Sequence, residues 1–325
     1  MDLFRESYDD PDASLRLAAT ADTVARVETQ QLWAVMAAAS TDRFHPVRRV
    51  ALDAVATRLE SPLVLPWLER GLLDDSRSIR EVSRYHLARL HLPVDVVQYY
   101  IDALARPLRS RTLVAALAGL RETGRPEHGS LALGFLGHDR PVVRRAALRT
   151  VAALDATPHL DRLVAMLDDP SPAVASTAAE VLQSHVGAIG MNAVLAAVRS
   201  ATRSHNRVAA ASLVLRLGKW STLIALLDAT SDPDAPLRES VDRWMREWLD
   251  RQNRAYAQPT PSQLGQITRA LAENGARLEP RTREEIERAV AYWWPSMSHA
   301  AFDTAYGLHG SSRASSVTGI ESGSP

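Results

Sequence analysis

A chain of 325 residues with 46% hydrophobic and 23% charged side chains has ample material for a core, which excludes a wholly disordered chain. Its 38 basic and 38 acidic residues cancel, excluding a whole-molecule field that would gather nucleic acid or anionic membrane and leaving only local patches. The lack of cysteine excludes disulfides, thiolate metal sites and cysteine nucleophiles, and aromatics at 6% amid abundant alanine and leucine favour helix over strand.

Lys219 is the only lysine, so nearly every positive charge is an arginine. The opening MDLFRESYDDPD is acidic and polar, unlike a secretory signal. No apolar run reaches the roughly 20 residues that span a bilayer. A cytoplasmic protein without membrane insertion is expected.

In chain order the same short pattern returns. An apolar residue followed by arginine occurs as Leu15–Arg16, Val47–Arg48, Ile79–Arg80, Val143–Arg144 and Leu237–Arg238. Val174–Ala175 and Val208–Ala209 are read as the same place without the arginine. The anchors 15, 47 and 79 lie 32 residues apart, and 143 is two such steps further on. An aspartate leads by four or five residues in six units, as Asp10, Asp42, Asp75, Asp139, Asp169 and Asp232. Proline often follows, as Pro46, Pro141, Pro172 and Pro236, where a missing N–H costs nothing in a first helical turn. The stretch RPLRSRTLVAALAGL keeps only the apolar rhythm.

Each unit predicts two helices. Val143, Ala147, Val151 and Leu154 mark the buried face of one, and a second apolar stretch such as LDRLVAMLDD follows a short break. Two short helices cannot bury their own apolar faces, so neighbouring units must stack. The expected fold is an all-α, right-handed α-solenoid of about eight helix pairs over residues 1–252.

The D-x-x-P-x-V-R-x-x-A pattern, the paired helices and the period near 32 resemble the short HEAT-like repeats of bacteria, over roughly residues 9–250. The resemblance implies a ladder between units, with Asp10, Asp42, Asp75, Asp139, Asp169 and Asp232 facing Arg16, Arg48, Arg80, Arg144 and Arg238. The aspartate is expected to cap helix N–H groups, and the arginine to supply planar donors to a neighbour. Arg145 and Arg149 lack equivalents in most units and are candidates for an outward patch.

Residues 253–295 are expected to be a linker and C-terminal capping helices, with Thr282 capping the last helix and Ile286, Ala289, Val290 and Trp293 as its apolar stripe. Residues 296–325, rich in Ser, Gly and Ala, are expected to be a disordered tail.

Catalytic signatures are missing: no G-x-S-x-G, Gly-rich phosphate loop, H-E-x-x-H or EF-hand pattern occurs. His86 and His91, five apart, fall on different helix faces, so no zinc pair is expected, nor any cofactor, metal or catalytic residue. Trp33, Trp67 and Tyr99–Tyr100 fall in successive second helices, with Phe135 and Trp220 in later ones. The resemblance implies that second helices line the concave surface, so these rings are candidate partner-binding residues; packing between repeats is the competing account. The expected function is a non-catalytic scaffold or adaptor holding a partner protein on that surface. The alternatives are nucleic-acid backbone binding through Arg145, Arg149, Arg199, Arg203 and Arg207, as in HEAT-like DNA glycosylases, or an enzyme resembling chromophore lyases.

Overall fold

The computed structural model describes residues 10–251 and 257–291, and no strand occurs among them. The helices in chain order are α1 (Ala13–Arg26), α2 (Leu32–Ala39), α3 (His45–Arg58), α4 (Ser61–Leu72), α5 (Arg77–Arg89), α6 (Val96–Leu104), α7 (Ser110–Thr123) and α8 (Gly129–Leu133). They continue as α9 (Pro141–Asp155), α10 (Leu160–Ala165), α11 (Pro172–Leu182), α12 (Val186–Ile189), α13 (Met191–Ser200), α14 (Ser204–Ala211) and α15 (Lys219–Ala229). The last are α16 (Ala235–Arg251), α17 (Pro261–Asn274) and α18 (Pro280–Ala291). The tail 296–325, part of the linker, and Trp293 and Trp294 lie outside the described residues.

The first helices of the units are α1, α3, α5, α7, α9, α11, α14 and α16. Proline starts several of them, as Pro46 in α3, Pro141 in α9 and Pro172 in α11. Their buried faces repeat every four residues: Val47, Ala51 and Val55 on α3, Val143, Ala147 and Val151 on α9, and Val174, Ala178 and Leu182 on α11. The alanine at the centre of each face lets backbones come close. Successive first helices, α5 and α7 excepted, accordingly meet along much of their length, whereas successive second helices from α2 to α15, which bury leucines such as Leu68, Leu72 and Leu163, stay further apart. A stack spaced more tightly on one side bends toward that side. The first helices therefore line the inner surface, which corrects the expectation that the second helices do.

The ladder is present, with corrections. Arg16 donates through Nε and Nη2 to the two carboxylate oxygens of Asp42 at 2.8 and 3.0 Å, and Arg144 does the same to Asp169 at 2.8 and 2.7 Å. Arg48 reaches Asp74 at 2.9 and 2.6 Å, so Asp74 rather than Asp75 is the main rung; Asp75 adds a bond at 2.8 Å and also takes Arg111 at 2.7 Å. The remaining Nη1 of each arginine closes its own unit, donating to backbone carbonyls at Asp10, Asp42, Asp74, Asp139 and Asp232 from Arg16, Arg48, Arg80, Arg144 and Arg238. The aspartates do not cap their helices. Asp42, Asp74, Asp169 and Asp232 each accept the amide two residues on, shaping the turn that precedes the helix.

Counting from each helix start explains the exceptions. The ladder arginine lies four residues after the N-cap, as Arg144 after Arg140 and Arg48 after Phe44. By that count Arg207, four after Arg203, is the ladder residue of its unit, and it pairs with Asp232; Val208–Ala209 was the wrong register. Leu113 occupies the place in α7 and is buried. Asp139 in the next unit therefore offers its carbonyl to Arg144 and has no arginine from α7 to accept. Arg80, facing a unit with no ladder aspartate, turns to Glu122 at the far end of α7, which Arg84 also reaches at 2.9 Å. Burial pushes the Glu122 carboxyl up, but these two guanidinium groups more than offset it and hold the group below the usual carboxylate range. Where α11 carries Ala175 instead of arginine, Asp168 bridges to the Thr202 amide and Asn206 at 2.9 and 2.8 Å.

The core divides at the same place. One cluster runs from Leu32 to Leu87 with Tyr100 and Leu120, the other from Leu113 to Val290. Here α5 meets α7 only briefly. The Tyr100 ring fills the gap: a Cβ on Gly119 would lie 2.2 Å from that ring, so only glycine fits. At the C-terminal end α17 packs on α15 and α18 on α16, burying Ile267, Leu271, Ile286 and Val290. Thr260 and Gln263 form the capping box of α17, and α18 begins at Pro280, which leaves Thr282 inside its first turn rather than capping it.

Two outcomes follow for stability. Arg144→Ala strands the buried Asp169 carboxylate and should cost on the order of 3–5 kcal/mol. Arg145→Ala removes one bond to Thr177 and should cost about 1 kcal/mol; urea melts of equal midpoint would contradict this ordering. Gly119→Ala gains about 1 kcal/mol of helix propensity, yet the collision with the buried Tyr100 ring should outweigh it and lower the midpoint. Adding Tyr100→Leu should restore part of the loss, and strictly additive effects would show that the ring and glycine do not interlock.

Candidate functional site

The predicted aromatic residues separate into two groups. Trp33 on α2, Trp67 on α4 and Tyr99 on α6 are each half-buried and follow one another across adjacent units. The Trp33 and Trp67 rings lie 5.9 Å apart in a tilted pair, and the Arg70 guanidinium sits 6.0 Å from the Trp67 ring. The Tyr99 hydroxyl donates to the Glu69 carbonyl at 3.1 Å, locking its ring against α4. Burial, with the nearby Glu69 charge, pushes the Tyr99 phenol up, so it stays a neutral donor. Exposed Leu63, Pro66 and Ala34 flank these rings. The row is an apolar, aromatic strip that crosses three units on the outer side of the bend.

Of the others, Tyr100 and Trp220 belong to the core, while Phe135, in a later unit, is half-buried like the strip residues. Tyr100 is fully buried, its hydroxyl accepting a bond from Arg84 at 3.3 Å. Trp220 is buried beneath Trp248, ring centroids 6.0 Å apart, and its Nε1 donates to the Ala257 carbonyl at 2.7 Å. Phe135 sits half-buried in the 3-10 turn Gly134–Gly137, packed on the larger core cluster. Sequence spacing could not separate Tyr99 from Tyr100, because adjacent residues on a helix differ by a rotation that only the register of α6 against α7 decides.

The arginines proposed for nucleic acid do not converge. Arg145 binds Thr177, Arg149 pairs with Glu180 at 3.4 Å, and Arg207 is committed to Asp232; Arg199 and Arg203 are exposed on later units. Histidine chemistry is equally constrained. His86 is buried; Arg89 donates to its Nδ1 at 3.2 Å, so the proton resides on Nε2 and points to Asp53 at 2.6 Å. That arrangement ties α5 to α3. Among the described residues no group of three or more His, Asp or Glu side chains is placed to hold a metal. The inner side carries a groove of about 600 Å³ across α11, α14 and the start of α16, lined by Ser176, Glu180, Gln183, Ser204, His205 and Ser212. No described helix is long and apolar enough to cross a membrane.

Residues 130–216 match the family model for HEAT repeats. That span carries HEAT repeats. The matched span runs from α8 to the turn before α15 and contains the Arg144–Asp169 rung. The units formed by α1 to α4, outside that span, hold the same geometry in Arg16–Asp42 and Arg48–Asp74. Among solved structures, the crystal structure of an engineered protein from the Northeast Structural Genomics Consortium aligns over 94% of this chain and 91% of its own, at 14% identity and a TM-score of 0.41. No curated protein matches the chain. Such HEAT repeats commonly serve as protein-interaction scaffolds.

The division of the aromatics is measurable. Trp220→Ala should cost on the order of 3–5 kcal/mol in thermal or urea unfolding, because it empties a core site. Trp67→Ala should cost less, about 1–2 kcal/mol, since its ring is partly exposed and packs on the edge of the core beside Trp33. A Trp67 variant that unfolds outright would place that ring in the core.

Proposed function

We propose that this protein is a non-catalytic scaffold that holds a partner protein on the aromatic strip of Trp33, Trp67 and Tyr99. The observation that carries the reading is the strip itself: three large rings, mutually supported and half-exposed, on a rigid stack. Aromatic side chains concentrate interface energy because they bury much area with few torsions to freeze. Here the torsions are already restrained, by ring–ring contact for Trp33 and Trp67 and by the Glu69 carbonyl for Tyr99. Preorganisation of that kind lowers the entropic cost of binding. The strip lies on the outer side of the bend, so the partner sits there and not in the concavity. The C-terminal helices α17 and α18 act in this reading as the cap that closes the last repeat.

Affinity capture from native lysate tests it. Trp67→Ala should weaken capture of the partner by on the order of 2 kcal/mol, roughly thirtyfold, while the melting temperature moves little. Arg145→Glu with Arg149→Glu should leave capture intact. Loss of capture in the arginine double variant with retention in Trp67→Ala would move the partner to the inner side.

A further inference from the structure

The inner side carries arginines beyond those the stack uses, and they gather where the first helices part. The register is set by two contacts. The Thr150 hydroxyl donates to the Leu117 carbonyl at 3.0 Å, which places Arg149 of α9 beside that level of α7, with Arg121 one helical turn further on. From the other side, Arg84 of α5 reaches Glu122, the residue next to Arg121, at 2.9 Å. Three stacked helices thus bring arginines to one area.

Most of these have partners, and one does not. Both oxygens of the buried Glu122 are taken, one by Arg80 and the other by Arg80 and Arg84. Arg77 pairs with Glu81 on its own helix, both open to solvent. Arg149 touches Glu180 at 3.4 Å, the Arg149 side chain partly and the Glu180 side chain largely exposed, so solvent screens this long contact. Arg121 is half-buried and makes neither an ion pair nor a hydrogen bond among the described residues. Burial lowers its pKa first, and the neighbouring charges of Arg149, Arg80 and Arg77 lower it further, with Glu122 alone opposing. Five arginines (77, 80, 84, 121 and 149) against three glutamates (81, 122 and 180) leave a local excess of two positive charges in a chain whose net charge is zero.

We propose that Arg121 and Arg149, backed by Arg77, form a binding site for a phosphate dianion, free or carried as a phosphomonoester on a partner's side chain. Two guanidinium forks offer planar, charge-assisted donors that suit phosphate oxygens. A dianion cancels the excess, whereas a single carboxylate would leave half of it. The site is on the opposite side of the stack from the aromatic strip and is independent of it.

Isothermal titration of the full chain with inorganic phosphate, against sodium chloride of equal ionic strength, reads the site directly. A phosphoserine peptide and its unphosphorylated twin distinguish the source of the phosphate. Saturable binding is expected, weakened tenfold or more by Arg121→Gln and by Arg149→Gln, and unchanged by Arg199→Gln or Trp67→Ala. Because Arg121 has no partner to strand, Arg121→Gln should melt at or above the parent temperature; if it does not fold, Arg149→Gln decides alone. Stronger binding of the phosphopeptide than of free phosphate, with its twin silent, assigns a partner-borne group; equal binding assigns the free ion. No binding beyond chloride, or binding that survives both glutamine variants, overturns the proposal.

Discussion

Everything in this stack depends on a guanidinium held by three parties at once. A ladder arginine such as Arg144 gives Nε and Nη2 to the carboxylate of the following unit and Nη1 to the carbonyls of its own turn. The aspartate in turn fastens the amide two residues on and so fixes the direction in which the next helix leaves. A buried ion pair of this kind is weak evidence for net stability, because desolvating both charges costs much of what their attraction returns. Its value is geometric. A planar fork facing a planar carboxylate admits one relative placement of two units, which apolar packing between alanine-faced helices would leave free to slide.

Where the rung is missing, the structure shows what else can do that work. Between α7 and α9 the ladder place is Leu113, and close packing with the Thr150–Leu117 bond takes over. Between α11 and α14 the polarity reverses: Asp168 accepts from the Thr202 amide and from Asn206, and those bonds hold its carboxyl below the usual range. Between α5 and α7 the substitution is least complete. Glu122 satisfies Arg80 and Arg84 from the wrong end of its helix, the first helices part, and Tyr100 over Gly119 plugs the opening. The core splits there because a rung anchored at a helix end cannot draw two helices together along their length.

That break concentrates features that the regular units lack. It leaves half-buried Arg121 on the inner side without a partner among the described residues, while the outer side of the preceding units presents Trp33, Trp67 and Tyr99. A repeat scaffold supplies surfaces on both sides of one rigid stack, and here the two differ in chemistry, one apolar and aromatic, the other cationic.

The sequence by itself determined the all-helical stack and the pairing of helices, and its resemblance to HEAT-like repeats implied the ladder. These depend on local patterns, such as Val143–Ala147–Val151 and the spacing from Asp42 to Arg48, that repeat in the chain and so survive without knowledge of their neighbours. It did not determine which aspartate of Asp74–Asp75 faces Arg48, that Arg207 rather than Ala209 holds the ladder place, or that Arg80 would reach Glu122. Each of those depends on a helix starting one or two residues earlier or later, a shift that turns a side chain by a hundred degrees or more. Nor could spacing tell half-exposed Tyr99 from buried Tyr100, or which side of the stack is inner. Only the tertiary structure decided these, because burial and curvature are set by distances between units that no single unit encodes.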